Sequence, residues 1–202
     1  MTSPTRHTHL AITLLAALAL ATGCATTRPA EHPEAQTALT AGETYDKDQI
    51  VTEAQQFFGG TTEGLADVVA RTFEDHGNPN AYIVGEEASG AVGVGLRYGR
   101  GELHVPGQAP LQVFWQGVSV GFDAGGNASR CFVLIYNLDD VESLFQRFPG
   151  VEGSLYFVAG VGVTYLQSDD IVIAPDRSGV GWRQGANIGY LKITREETLN
   201  PF

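Results

Sequence analysis

Residues 111–116 read Leu-Gln-Val-Phe-Trp-Gln, and Leu111, Val113 and Trp115 alternate there with the other three residues. An alternation with a period of two is typical of a β-strand with one buried face. Short runs of this kind, broken by glycine, fill the chain from Tyr82 onward. Such runs are typical of an antiparallel sheet that closes on itself. The sequence therefore predicts a mainly β (α+β) fold whose main part is a small antiparallel β-barrel.

The glycines of these runs are regularly placed. Residues 155–165 are predicted to form one long strand, and its bare face includes Gly160 and Gly162, while Gly93 and Gly95 have the same spacing in an earlier run. Glycine at every second position permits tight curvature of a strand or the close approach of another backbone. The alternative is a ligand that lies against the bare face.

Two helices are predicted ahead of the strands. The first lies within residues 45–58, where Asp46 can cap the helix and Gln49 completes a capping box. The second begins at residue 65 and carries its apolar residues on one stripe up to residue 73. Glycines follow both runs and end them. The two runs together predict an N-terminal helical hairpin.

One short helix is predicted to interrupt the strands. Asp139 can cap it, and Glu142 completes its capping box. The buried stripe of this helix consists of Val141, Leu144, Phe145 and Phe148.

The start of the chain has the pattern of a secretory signal peptide. A leader that contains Arg6 precedes an apolar run at residues 10–20, which is too short to span a bilayer. Residues 20–24 read Leu-Ala-Thr-Gly-Cys, which is similar to the lipobox of bacterial lipoproteins, where the enzyme cuts before a cysteine that carries lipid. We therefore predict a signal peptide at residues 1–23 and lipidation of Cys24. The alternative is an ordinary cleavage site with the cysteine as a bystander.

The remaining chain divides into a tether and one domain. Residues 24–44 lack large apolar side chains except Leu39, so they are predicted to form the lipidated cysteine and a disordered tether. Residues 45–202 have the size at which a single core can be stable. By similarity to lipoproteins, the alanine at position 25 favours an outer-membrane protein that faces the periplasm and is attached through its lipid anchor. A soluble periplasmic protein is the alternative.

The charge of the chain limits its partners. With 12 basic and 23 acidic residues, the net charge at pH 7 is -11. A nucleic acid would meet repulsion instead of releasing counterions onto a basic patch, so no nucleic-acid partner is predicted. The second cysteine, Cys131, lies in an apolar run and is predicted to be a small buried hydrophobe. The alternative for this residue is a reactive thiol.

One catalytic motif matches the sequence literally. Residues 117–121 read Gly-Val-Ser-Val-Gly, which is the G-x-S-x-G pattern of the hydrolase nucleophile elbow. That elbow needs a following helix and a downstream histidine, whereas a turn is predicted next and no histidine occurs after His104. A serine hydrolase acting through Ser119 therefore stays an alternative. The three histidines that follow Cys24 are too scattered for a metal motif, and the sequence predicts no enzyme, no metal and no cofactor.

A set of short strings occurs in order between residues 45 and 202. They are Phe-Phe-Gly at 57–59, Gly-Leu-Ala at 64–66, Tyr-Ile-Val-Gly-Glu-Glu-Ala-Ser-Gly at 82–90, Leu-Arg-Tyr-Gly at 96–99, Trp-Gln-Gly at 115–117, Ser-Val-Gly-Phe-Asp at 119–123, Tyr-Asn-Leu at 136–138, Arg-Phe at 147–148, Arg-Ser-Gly-Val-Gly at 177–181, Gly-Tyr-Leu-Lys at 189–192 and Asn-Pro-Phe at 200–202. Together they resemble the envelope integrity protein A (EipA) family of Gram-negative bacteria. The resemblance implies a small periplasmic antiparallel barrel, not known as an enzyme, that supports envelope integrity. It supplies no catalytic or ligand-binding residue.

Four residues are candidates for facing a ligand. Trp115 and Trp182 could line a pocket, with packing in the core as the alternative. Arg97 and Arg177 lie within the strings that carry the resemblance, where a salt bridge or a turn is the alternative to ligand recognition. The glycine-spaced strands and the Trp115 region also resemble, more distantly, the SYLF-type lipid-binding domain.

The predicted function is that of a non-catalytic lipoprotein that supports envelope integrity by binding an envelope component, which is a protein, a lipid or a glycan. A lipid- or amphiphile-binding protein is the first alternative, and the serine hydrolase is the second.

Overall fold

The computed structural model describes residues 43–59, 65–92, 94–120, 125–158, 161–178 and 188–201. Within these ranges lie two α-helices and eight strands. Their bounds are α1 Lys47–Phe58, α2 Leu65–His76, β1 Ala81–Val92, β2 Val94–His104, β3 Leu111–Val120, β4 Gly125–Tyr136, β5 Arg147–Val158, β6 Val161–Ser168, β7 Ile171–Ser178 and β8 Ile188–Thr194. The predicted signal peptide, Cys24, the tether up to residue 42 and Trp182 lie outside the described residues.

The strands form a closed barrel in the order β1-β2-β3-β8-β5-β6-β7-β4. Neighbouring strands are antiparallel throughout the described part of the barrel. Most strands pair with a neighbour in the chain, but β4 joins β1 to β7, and β8 lies between β3 and β5. The mainly β prediction, with a small antiparallel barrel behind a helical hairpin, is confirmed.

The alternation along each strand separates two apolar clusters. The first draws residues from every strand and fills the barrel, where Ile83, Ile135 and Ile173 are at most 1% exposed. The second contains Tyr82 and other residues of the opposite strand faces, together with residues from both helices. Burial of each large aliphatic side chain contributes about 1.5–3 kcal/mol. The barrel is therefore stabilised from its interior and from the outer face that the helices cover.

Local signals set the bounds of α1. Gln49 donates its backbone N–H to the Asp46 carboxylate at 2.8 Å, and the Gln49 side-chain oxygen accepts from the Asp46 backbone N–H at 2.9 Å. This is the capping box predicted from the sequence. Gly59 ends the helix with a φ of 79°, a left-handed conformation that glycine adopts without strain. Among the described residues, no helix is long and apolar enough to cross a membrane.

The helical hairpin covers one outer side of the barrel. Its buried residues pack against outward side chains of β1, β4, β6 and β7. The helical members are Ile50, Ala54, Val68 and Val69, and the strand members are Tyr82, Phe132, Leu134, Tyr136, Tyr165, Val172 and Ala174.

The inserted helix is shorter than predicted. It is a single 3-10 turn, Glu142–Leu144, and the carboxylate of Asp140, not Asp139, accepts the backbone N–H of Ser143 at 2.9 Å. Phe148 is buried but belongs to β5, because the ladder between β5 and β8 takes up Arg147–Pro149. Strand pairing thus removes the last turn of the predicted helix.

The single long strand predicted for residues 155–165 is wrong. The chain forms two strands there, and β5 pairs with β6 through Val158↔Val161 and Phe157↔Gly162. Residues 159 and 160, which connect them, lie outside the described residues. The glycine alternation therefore continues across a hairpin and does not mark one extended strand.

Candidate functional site

Trp115 lies inside the barrel beside a buried acid. The indole Nε1–H donates a hydrogen bond to Oε2 of Glu87 at 3.0 Å, and the two residues are 2% and 3% exposed. Glu86, the preceding residue on β1, is exposed, as alternation along a strand requires for adjacent carboxylates. A hydrogen bond inside a protein contributes about 0.5–1.5 kcal/mol, and a buried donor left without its acceptor costs about 1–3 kcal/mol. The pair therefore fixes the indole at the centre of the described core.

Two glycines make room for this indole. A Cβ atom at Gly99 would overlap Cε2, Cζ2 and Nε1 of Trp115, and one at Gly85 would lie 2.7 Å from Cη2. Gly99 is the direct cross-strand partner of Trp115. The indole thus occupies the volume that side chains at these two positions would fill.

The other candidate residues are only partly placed. Arg97 stands two residues before Gly99, on the same face of β2 as the partner of Trp115, and its side chain is half-buried. Arg177 is the register partner of Cys131 on β4, but its side chain lies outside what the structure describes. Trp182 lies outside as well. That these residues and Trp115 face a ligand stays a prediction.

Ser119 lies in a regular strand ladder. It pairs with Gly95 on one side and with Gly189 on the other. His104 stands at the far end of β2 from Gly95, about 30 Å away at ~3.3 Å per residue. The imidazole of His104 stacks on the ring of Tyr82 at 4.7 Å between centroids. His104 is therefore too far from Ser119 to act as its base. Among the described residues, no group of three or more His, Cys, Asp or Glu side chains is arranged to hold a metal ion.

Aromatic residues line the contact between barrel and helices. The rings of Tyr82 and Phe132 stack with centroids 5.3 Å apart, and the Tyr165 hydroxyl donates to the Asp75 carboxylate at 2.8 Å. Burial raises the pKa of Tyr136 to about 12, whereas the nearby Thr72 hydroxyl opposes that shift. Burial also raises the pKa of Tyr165, and the neighbouring carboxylate adds to the effect. These tyrosines thus stay protonated and packed at neutral pH.

A groove of about 310 Å³ lies on the outer face of β1, β2, β3 and β4. Its walls include side chains that neighbour one another across the strands: Tyr98 pairs with Ala88 and with Gln116, and Ala88 pairs with Ala128. Glu86, Arg100 and Phe114 line it as well, while Glu87, Gly99 and Trp115 also border it. We call it the outer groove. The alanines keep part of this surface shallow.

The end of the chain forms one side of the outer groove. Glu197, Thr198 and Leu199 line it. The Tyr98 hydroxyl donates to the backbone oxygen of Leu199 at 3.0 Å, and the Tyr190 hydroxyl donates to the backbone oxygen of Pro201 at 2.8 Å. Two tyrosines thus hold the C-terminal segment, residues 197–201, against the barrel.

Gln116 has an unusual position in the outer groove. It is 1% exposed, and its Nε2 atom has no hydrogen-bond partner among the described residues. A buried donor without a partner costs about 1–3 kcal/mol. Most buried polar groups are hydrogen-bonded, so an exception points to a missing partner. Sequence alternation places Gln116 on the outer face, but it does not reveal that this side chain is buried there.

Three charged side chains of the outer groove, Glu86, Arg100 and Glu197, form no ion pair with another described residue. Glu86 and Arg100 are exposed register partners. Glu197 is also exposed. The groove therefore offers both signs of charge, one buried amide donor and the aromatic face of Phe114.

Comparisons with known proteins agree with the fold. The chain matches the family described as envelope integrity protein A over residues 43–202. It is 44% identical to a β-barrel-like, uncharacterized protein from Brucella abortus whose crystal structure is known. The similarity covers 79% of this chain and 99% of that chain, with a TM-score of 0.69. Among curated proteins, none matches the chain.

Proposed function

Because this chain belongs to the envelope integrity protein A family, we propose that it supports the cell envelope by binding an envelope component without chemical turnover. The observation that supports binding is the outer groove, whose wall contains a buried amide donor without a partner and whose surface carries exposed charges without ion pairs. Ser119 lies in a regular ladder far from His104, which gives no support to the hydrolase alternative. The bound component is a protein, a lipid or a glycan of the envelope.

Attachment is part of the same proposal. The leader and the Leu-Ala-Thr-Gly-Cys segment at residues 20–24 support export and lipidation of Cys24, with the barrel facing the periplasm from the outer membrane. Several acyl chains hold a protein to a bilayer far more durably than one. Metabolic labelling with a palmitate analogue tests this. Label that depends on Cys24 is expected, and equal labelling of Cys24→Ser, or none in either protein, refutes lipidation.

A deletion strain tests the proposed role. Loss of the gene is expected to sensitise the bacterium to detergents and to antibiotics that act on the cell wall, and the wild-type gene should restore tolerance. A deletion strain with unchanged tolerance refutes the role in envelope integrity. A Ser119→Ala gene is the matched control, since it should restore tolerance fully if no serine nucleophile is involved.

The lipid-binding alternative receives less support. The described interior is filled by Trp115 and the apolar cluster around it, and the outer groove of about 310 Å³ is near the lower end of ligand sites, which span about 300–1,000 Å³. Native mass spectrometry of freshly purified protein separates the two functions. A stoichiometric lipid, other than the anchor on Cys24, would favour the lipid binder.

A further inference from the structure

Gln116 gives the outer groove a hydrogen-bond donor that lacks an acceptor. Its carboxamide is buried on the outer face of β3, and the Nε2 donor lacks a partner. Gln112 occupies the same face of the same strand four residues earlier, and its Nε2 donates to the Gly101 backbone oxygen at 2.8 Å. The contrast leaves Gln116 Nε2 as a buried donor without a partner in the wall of the outer groove. An acceptor bound in the groove, such as an amide carbonyl, would satisfy this donor once the side chain turns toward it.

The other groups restrict the chemistry of that ligand. Glu86 and Glu197 offer acceptors for a cationic amine, and Arg100 offers a planar donor set that suits a carboxylate. Ala88 and Ala128 present only methyl groups to the groove. The lining therefore complements a molecule with an ammonium group, amide carbonyls and a carboxylate.

The size of the groove selects among such molecules. At about 310 Å³ it lies at the lower end of ligand sites, which range from about 300 to 1,000 Å³. An extended acyl chain or a folded protein segment exceeds this volume. A peptide of two or three small residues does not.

We propose that the outer groove binds a short zwitterionic peptide with small side chains. The Gln116 amide donates to a peptide carbonyl, Arg100 pairs with the carboxylate, and Glu86 with Glu197 holds the ammonium group. This inference rests on the proposed binding function and deepens it, because it assigns the site and the class of the bound component.

Binding is tested with the full-length protein and tri-alanine. Calorimetry should show saturable binding, and the Gln116 side-chain amide resonances should shift during an NMR titration. Tri-alanine that is acetylated and amidated at its ends lacks both charges and should bind about tenfold more weakly or worse. Absence of binding at millimolar peptide, or equal affinity for the blocked peptide, overturns the proposal.

The Gln116→Met variant provides a test with two opposite effects. Methionine has a similar volume but no donor, so peptide binding should be lost. Removing an unpaired buried amide should also raise the Tm by about 2–4 °C for each kcal/mol of relief in a chain of this size. Gln112→Met is the matched control, since it removes an amide that already has a partner. It should leave peptide affinity unchanged and should not raise the Tm.

The outcomes also separate this inference from the proposed function. Unchanged peptide affinity in Gln116→Met, or a lowered Tm, overturns the peptide site because the amide then serves only the fold. If that happens while the wild-type gene still restores detergent tolerance, the envelope role stands without this site. A deletion strain with normal tolerance removes the envelope role whether or not the peptide binds.

Discussion

Substitution of Gly99 by alanine should disrupt the centre of the barrel. The added Cβ would overlap three atoms of the Trp115 indole, and this ring has no free space because it is 2% exposed and bonded to Glu87. The clash is with a rigid ring system, so relief requires the whole side chain to shift. A shift would break the Nε1–H bond to the carboxylate.

The size of the effect follows from these two losses. Overpacking of a filled core costs about 1–3 kcal/mol, and the buried indole donor left without its acceptor costs about another 1–3 kcal/mol. Gly99→Ala should therefore lower the free energy of unfolding by about 4 kcal/mol. In a protein of this size, that corresponds to a fall in Tm of roughly 8–16 °C. Urea titration followed by far-ultraviolet circular dichroism measures the loss.

Two further variants make this prediction specific. Gly90→Ala lies on β1, where an added Cβ meets nothing within 4 Å, so it should be neutral or stabilising by up to about 1 kcal/mol. Trp115→Phe shortens the ring, and combining it with Gly99→Ala should cost less than the sum of the two single changes. A loss below about 1 kcal/mol for Gly99→Ala, or strict additivity in the double variant, would refute the packing argument.

Three other predictions concern single residues. Glu87→Leu leaves the Trp115 Nε1–H buried without its carboxylate and should cost about 1–3 kcal/mol, whereas Glu87→Gln keeps an acceptor and should cost less; chemical denaturation compares them. Asp46→Ala removes the capping box with Gln49 and should cost about 1 kcal/mol, and an unchanged denaturation midpoint would contradict it. The pKa of Tyr136 is about 12 in the folded protein, against an ordinary value of 10.0. As the pH rises, Tyr136 therefore ionises first in the unfolded protein, and the stability that the neutral side chain contributes should be lost between about pH 10 and pH 12. Stability of Tyr136→Phe should fall less steeply over that interval, and equal slopes would exclude this origin.

The helices were predictable because their signals are local. The capping box at Asp46 and the glycine that ends α1 each involve residues within one turn of chain. The sequence pattern alone therefore predicts both, and the structure contains both. The barrel class was also predictable from alternation and glycine spacing. The division into β5 and β6 was not, because Phe157 near the end of β5 and Val161 at the start of β6 stand in phase in the sequence, as they would in one strand.

The candidate site depended on contacts that no local pattern contains. The hydrogen bond between Trp115 and Glu87 joins residues 28 positions apart, and it requires both the register of β1 against β2 and that of β2 against β3. Alternation along β1 places Glu86 and Glu87 on opposite faces, but it does not identify the partner of the buried carboxyl group. The burial of Gln116 was not predictable either, because strand periodicity places this residue on the outer face but does not specify what covers that face.

The position of β8 has a consequence for biogenesis. This last strand lies between β3 and β5, so a chain that stops before Ile188 has two edges with unpaired backbone groups, and such edges template aggregation. During synthesis the polypeptide reaches ring closure only after β8 has been made. Until then it resembles an open ribbon that other nascent chains, or a protective chaperone, can pair with. Nonsense changes near the end of the gene should therefore produce inclusion bodies or rapid proteolysis instead of a weakened but assembled protein.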